Sequence, residues 1–243
     1  MTMHDAQPVA SPPKRRRGRP SPDETRLLET ALLSAATRLM CEKGYSATSM
    51  DEIALAAGVG KKALYARFRN KEALFSAVVD HVYPDRGSWN IEGIGEADLH
   101  LSFEEGLIRR ARLILIASSQ PQAVALYRLV QHEALRFPEI AAVFDRYTSE
   151  VISGLTRYFA TEKERGRLAD IDPATAAVMF MLAVTSDAAN RTIYQHPMPD
   201  NDEIELYSGN MARLFARGLA RSDAPATFAP FGHRFRFTSG VTD

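Results

Sequence analysis

Two groups of positive side chains near the N-terminus carry the most legible chemistry of this 243-residue chain. Lys14-Arg15-Arg16-Arg17-Gly18-Arg19-Pro20 puts five cations in seven residues, and Lys61, Lys62, Arg67 and Lys71 form a second group around Tyr65. Such groups bind phosphate oxygens, and a tyrosine hydroxyl can join them. Residues 1–80 hold 13 Lys/Arg against 9 Asp/Glu, and the remainder holds 17 against 21. The chain is formally neutral only as an average. Its front end is basic and its body acidic, which points to an anionic polymer as the partner of the front end alone.

Other chemistries fail on spacing. Gly58-Val59-Gly60-Lys61-Lys62-Ala63 fits G-x-G-x-x-A, but a dinucleotide site needs a strand before it, and a capped helix stands there instead. His132-Glu133 lacks the second histidine of a zinc-protease helix, and the six histidines show no ligand spacing. No phosphate loop or nucleophile elbow occurs. The expectation is no enzyme, no metal and no cofactor. Cys41, the single cysteine, excludes an internal disulfide and reads as a small buried hydrophobe. The longest apolar run, Ala176–Val184, is nine residues, about half of the ~18–20 that span a bilayer. The N-terminal twenty residues lack an apolar signal core. A soluble cytoplasmic protein with no membrane partner is expected.

The elements that must position the second basic group read as helices throughout. Hydrophobic residues make up 45% of the chain and recur at three and four, so there is apolar material for a helical core. Ser21-Pro22-Asp23-Glu24 starts the first helix as a capping box, and Gly44 ends it. Ser49-Met50-Asp51-Glu52 is a second box, opening a short helix to Ala57. After Gly58-Val59-Gly60 a third helix covers about Lys61–Phe68, and Asn70 caps a fourth from about Lys71. Two short helices joined by a glycine turn on a longer one match a helix-turn-helix. In this reading Ile53, Ala54, Ala57, Val59, Leu64 and Phe68 pack the motif, while Lys61, Lys62, Ala63, Tyr65, Ala66 and Arg67 point away. Further helices are expected over about Leu99–Ser118, Gln122–Arg136, Glu139–Arg165, Pro173–Gln195 and Asp202–Arg221. The fold class is all-α with roughly nine helices; Phe231–Phe237 is the one short stretch of alternating pattern.

The text Thr48-Ser49-Met50-Asp51-Glu52-Ile53-Ala54, then Ala57 through Phe68, then Asn70-Lys71-Glu72 resembles the TetR family of transcriptional regulators. Leu126-Tyr127-Arg128-Leu129-Val130 and Glu133-Ala134-Leu135-Arg136-Phe137-Pro138-Glu139 are similar to its AefR-like branch. The resemblance implies a homodimer on a palindromic DNA operator, commonly a repressor released by a small hydrophobic effector. It implies that Tyr65 and Lys71 touch phosphates, and that Lys61, Lys62, Ala63 and Arg67 face base edges or backbone; Ser49 is counted with them. The sequence departs from the family pattern where Gly60, Lys62 and Arg67 replace the frequent Ser, Gly and His.

Four segments are expected: a disordered basic arm (1–20), a helix-turn-helix domain (21–70), an effector and dimerisation domain (71–221) and a tail (222–243). Arg17 and Arg19, in an Arg-Gly-Arg-Pro core like an AT-hook, suit a narrow A·T-rich minor groove. Effector pockets in bundles lie between helices. Trp89, Arg112, Tyr127, Arg128, Gln131, His132 and Tyr147 are candidate lining residues. The last two helices resemble the family's dimerisation pair. Met179, Phe180, Ala183, Asp187, Met211, Leu214 and Phe215 are the expected interface. Alternatives are an effector-independent nucleoid-type DNA binder and a helical ligand-binding enzyme.

Overall fold

Side-chain caps start most of the helices. In the computed structural model, residues 22–84 and 100–219 are described. The head holds α1 (Pro22–Lys43), α2 (Met50–Ala56), α3 (Lys61–Arg67) and α4 (Lys71–Val82). The Ser49 hydroxyl accepts from the Glu52 N–H at 3.1 Å, and Asn70 Oδ1 accepts from the Ala73 N–H at 2.8 Å. Ser21, the cap expected on α1, lies outside the described residues. Gly44 ends α1 at φ +89° and donates to the Met40 carbonyl. The positive φ is what calls for glycine here; a Cβ would meet only the far end of the Glu133 side chain, which can move aside.

The body holds α5 (Phe103–Ser119), α6 (Pro121–Glu133), α7 (Pro138–Glu164), α8 (Pro173–Tyr194) and α9 (Asn201–Leu219). No β-strand occurs among the described residues, and Phe231–Phe237 lies outside them. The fold is all-α, with an N-terminal helix-turn-helix and a C-terminal bundle. α5 starts four residues later than the apolar pattern predicts, because Ser102 and Glu105 form a complete capping box. Asp200 and Glu203 exchange similar bonds at the start of α9, at 2.9 and 3.2 Å. α6 stops at Glu133 instead of Arg136, before the break at Pro138.

In the head, Leu32, Ala36, Met40, Ile53, Leu64, Leu74 and Val78 are fully buried together. In the body α5 runs against α9 and α7 against α8. An aromatic chain, Phe103–Phe159–Phe180–Phe215, crosses the bundle edge to face at centroid distances of 6.2, 6.0 and 5.2 Å. Glu162, buried, is held by Arg165 at 2.9 Å and Arg167 at 3.1 Å, and Arg167 also donates to the Leu101 carbonyl. Head and body join where α1 meets α6 and α4 meets α7. At that joint Tyr45 stands edge-on to Phe75 and Phe137. Among the described residues no single helix is long and apolar enough to cross a membrane.

Candidate DNA-binding surface and effector cavity

The α2–α3 pair turns at Gly58, at φ +66°, a conformation that costs side-chain-bearing residues. Ile53, Ala54, Val59, Leu64 and Phe68 are buried behind the turn. Their burial orients α3 with Lys61, Lys62, Tyr65 and Ala66 outward; Tyr65 is 49% exposed. Ala63 is half-buried. Lys61 Nζ donates to Asp51 Oδ2 at 2.6 Å, and this carboxylate raises the lysine's pKa. Lys62 has no ion-pair partner among the described residues. Ser49 is exposed, with its hydroxyl engaged as the α2 cap. The Glu52 carboxylate accepts from Lys43, and that bond is the main cause of its lowered pKa.

Two expected outward residues are instead drawn back. Arg67 donates to the Thr25 carbonyl at 3.2 Å, and its Nε lies 3.9 Å from Glu29. A long guanidinium at the last position of a seven-residue helix reaches α1 more readily than a groove. Lys71 lies over the Tyr45 ring at 4.3 Å and donates to the Ser46 carbonyl at 3.3 Å. Burial lowers its pKa, against the opposing pull of Glu133 and Glu139. Both therefore brace the head, and neither stands free of it. Arg17 and Arg19 lie outside the described residues. Residues 22–84 carry eight Lys/Arg and eight Asp/Glu. The whole positive surplus of the front end sits in the stretch before residue 22.

A cavity of about 480 Å³, partly open to solvent, lies between α5, α6, α7 and α8. Its wall includes Tyr83, Tyr127, Val130, Phe144, Asp145, Tyr147, Met181 and Thr192. Tyr83 and Tyr147 stack at 4.4 Å and 21°, and Phe144 tilts against Tyr127 and Tyr147 at 6.2 and 5.7 Å. Burial raises the Tyr83 pKa, helped by Tyr147 and Tyr127, so the phenol stays neutral. Tyr83 directly follows α4, so the cavity wall is continuous with the helix that carries Lys71 at its other end.

Of the expected lining residues, Tyr127 and Tyr147 border the cavity, while Arg112, Arg128, Gln131 and His132 do not. Residues 127, 130 and 134 face inward; Arg128, Gln131 and His132 occupy the exposed face of α6. Arg128 Nε donates to the Thr192 carbonyl at 3.3 Å, and Arg112 pairs with Glu205 at 2.5 Å. Trp89 lies outside the described residues. Asp145, Thr148 and Tyr83 were missed by sequence reasoning; α7's inward stripe could have pointed to the first two.

On α8 and α9, exposed positions 179, 182, 186, 190 and 193, and 206, 210, 213, 214 and 217, make stripes at helical spacing. Leu182, Leu206 and Leu214 are 46%, 66% and 69% exposed, and Met179 36%. Ala183, Met211 and Phe215 are half-buried. Asp187 is bound by Arg191 at 2.7 Å, and Arg191 also grips Glu203. Phe180 corrects the expectation: it is fully buried in its own chain, between Phe159 and Phe215. The apolar run around it serves two faces, which composition alone does not separate.

A helix-turn-helix head on a bundle with a cavity between its helices is the build of a DNA-binding regulator. The chain matches the tetR family of bacterial regulatory proteins over residues 32–78. It matches the AefR-like transcriptional repressor C-terminal domain over residues 105–218. The protein belongs to the TetR family of transcriptional regulators. It is 29% identical over 177 residues to the HTH-type transcriptional regulator EthR of Mycolicibacterium smegmatis, covering 71% of this chain and 76% of that protein. A TetR-family regulator structure from Mesorhizobium loti superposes with a TM-score of 0.67 at 24% identity, covering 81% and 98% of the two chains. The flavonoid-responsive regulator FrrA superposes with a TM-score of 0.64 at 28% identity, covering 80% and 97%.

Proposed function

We propose that this regulator is a homodimeric repressor that binds a palindromic operator and leaves it when a small, largely apolar effector enters the cavity. The observation that carries this reading is the place of Tyr83. It is at once a wall of the cavity and the end of α4, whose first turn holds Lys71 against the head. A ligand that wedges the Tyr83–Tyr147 stack favours a different α4 position, and hence a dimer with its two α3 helices wrongly spaced. The response is set by the ligand's difference in affinity between the two spacings. The exposed stripes of α8 and α9, with Met179, Leu182, Leu206 and Leu214 as their apolar members, are the proposed dimer contact, completing a four-helix bundle across a two-fold axis. Tyr65, Lys61 and Lys62 enter the major groove, and the basic arm follows the neighbouring minor groove. FrrA, whose name records a small-molecule response, supports effector control as a class.

The test is genomic footprinting with the purified protein, then anisotropy titrations of the recovered site with full-length protein and with residues 1–19 deleted. The expected operator affinity exceeds that for random DNA by about 10³-fold or more. The arm deletion flattens the log–log salt dependence by up to about 0.9 for each of its five cations. Equal affinity for random DNA overturns the operator reading in favour of a nucleoid-type binder, and an unchanged slope overturns the role of the arm.

A further inference from the structure

The polar inventory of the cavity is one-sided. Its lining contains no lysine, arginine or histidine, and it contains one carboxylate, Asp145 of α7. Asp145 is half-buried and has no hydrogen-bond or ion-pair partner among the described residues. The lining Ser and Thr hydroxyls are already committed as donors. Ser118 and Thr192 donate at 2.8 Å to the carbonyls of Ile114 and Ala188. Thr148 and Thr185 donate to those of Phe144 and Met181 at 3.0 and 2.8 Å. A hydroxyl has one proton, so each offers an incoming ligand only lone pairs. The wall therefore presents acceptors, one negative charge and aromatic faces. Its hydrogen-bond donors are confined to the tyrosines.

We propose that the cavity selects a lipophilic cation: an aromatic molecule carrying a protonated amine that pairs with Asp145 while its rings pack among Tyr127, Phe144 and Tyr147. This rests on the reading of the cavity as the effector site and names the ligand class for it. A volume of about 480 Å³ suits a molecule of three or four fused rings. The selectivity follows from desolvation. A neutral aromatic ligand that covers Asp145 strands a carboxylate out of water, and an anionic one adds repulsion to that cost. An ammonium group removes the penalty, gains a charge-assisted hydrogen bond, and finds favourable ring faces beside it.

The experiment keeps the ring constant and changes only the head group. 1-Pyrenemethylammonium, 1-pyrenemethanol and 1-pyrenecarboxylate are titrated by pyrene fluorescence into the full-length protein at pH 7. The ammonium probe is expected to bind at least about tenfold more tightly than the alcohol, and the carboxylate most weakly. Asp145→Asn brings ammonium and alcohol within about twofold of each other, while Asp145→Glu retains the preference. If Asp145→Asn does not fold, the head-group order in the unaltered protein decides alone. Alcohol or carboxylate binding as tightly as the ammonium overturns the cation assignment. If the alcohol then also releases operator DNA, the effector reading survives that failure. If none of the three binds below about 1 mM, the cavity reading fails and this inference with it.

Discussion

Lys62→Ala removes the one α3 cation that is exposed without a partner among the described residues, and so tests its proposed contact with DNA. Of the three cations on α3, Lys61 is held by Asp51 at 2.6 Å and Arg67 by Thr25 and Glu29. Lys62 alone is exposed with no partner among the described residues. Its contact with DNA therefore breaks no internal bond, and its loss leaves no stranded partner. Each phosphate neutralised contributes about 0.9 to the slope of log affinity against log salt. Two copies per dimer make the expected flattening about 1.8. Between about 50 and 200 mM salt, a fourfold rise, the unaltered protein then loses about tenfold more affinity than Lys62→Ala. Lys61→Ala flattens the slope less, because Lys61 must exchange Asp51 for phosphate before it contributes. Asp51→Ala has the opposite sign, steepening the slope by releasing Lys61. The assay is fluorescence anisotropy on one labelled operator at five salt concentrations. A Lys62→Ala slope equal to the unaltered one, or a larger effect from Lys61→Ala, refutes the assignment of free and engaged cations on α3.

Leu214→Glu and Phe180→Ala separate the two faces of the α8–α9 pair. Leu214→Glu is expected to lower the mass seen by sedimentation and the operator affinity together, with the monomer still cooperatively folded. Phe180→Ala is expected to cost about 3–5 kcal/mol of stability, measured by denaturant titration, because it empties a fully buried site between two aromatic rings; identical behaviour of the two variants would contradict the division. Glu105→Gln tests the α5 capping box by pH. The Ser102 hydroxyl, and then its backbone N–H, hold the Glu105 pKa below its usual value. The unfolded state then binds more protons across that interval. The carboxylate's contribution is present at neutral pH and is lost as pH falls from about 4.3 through the lowered value. The acid side of the Tm–pH curve should be shallower in Glu105→Gln, and superimposable acid limbs would dismiss the box as a source of acid sensitivity.

The amino-acid sequence by itself determined the helices, the helix-turn-helix and the family. Those features depend on local rules: apolar residues at three and four, caps such as Ser49 and Asn70, glycines 44 and 58 at positive φ, and a motif whose residues lie within one short stretch. Periodicity fixes which residues share a face, so the outward set Lys61, Lys62 and Tyr65 was legible. It does not say what a long side chain reaches, so the retreat of Arg67 to α1 and of Lys71 to Tyr45 was not. The same limit divides the later helices. Tyr127 and Arg128 are neighbours in sequence, yet one borders the cavity and the other is exposed outside it, where its guanidinium donates to the Thr192 carbonyl. Phe180 and Met179 are equally apolar, yet one is fully buried and the other 36% exposed. Only tertiary packing decided these outcomes. A face becomes a core, a cavity wall or a free surface according to which helix lies against it, and contacts such as α5 with α9 or α7 with α8 join residues far apart in the chain.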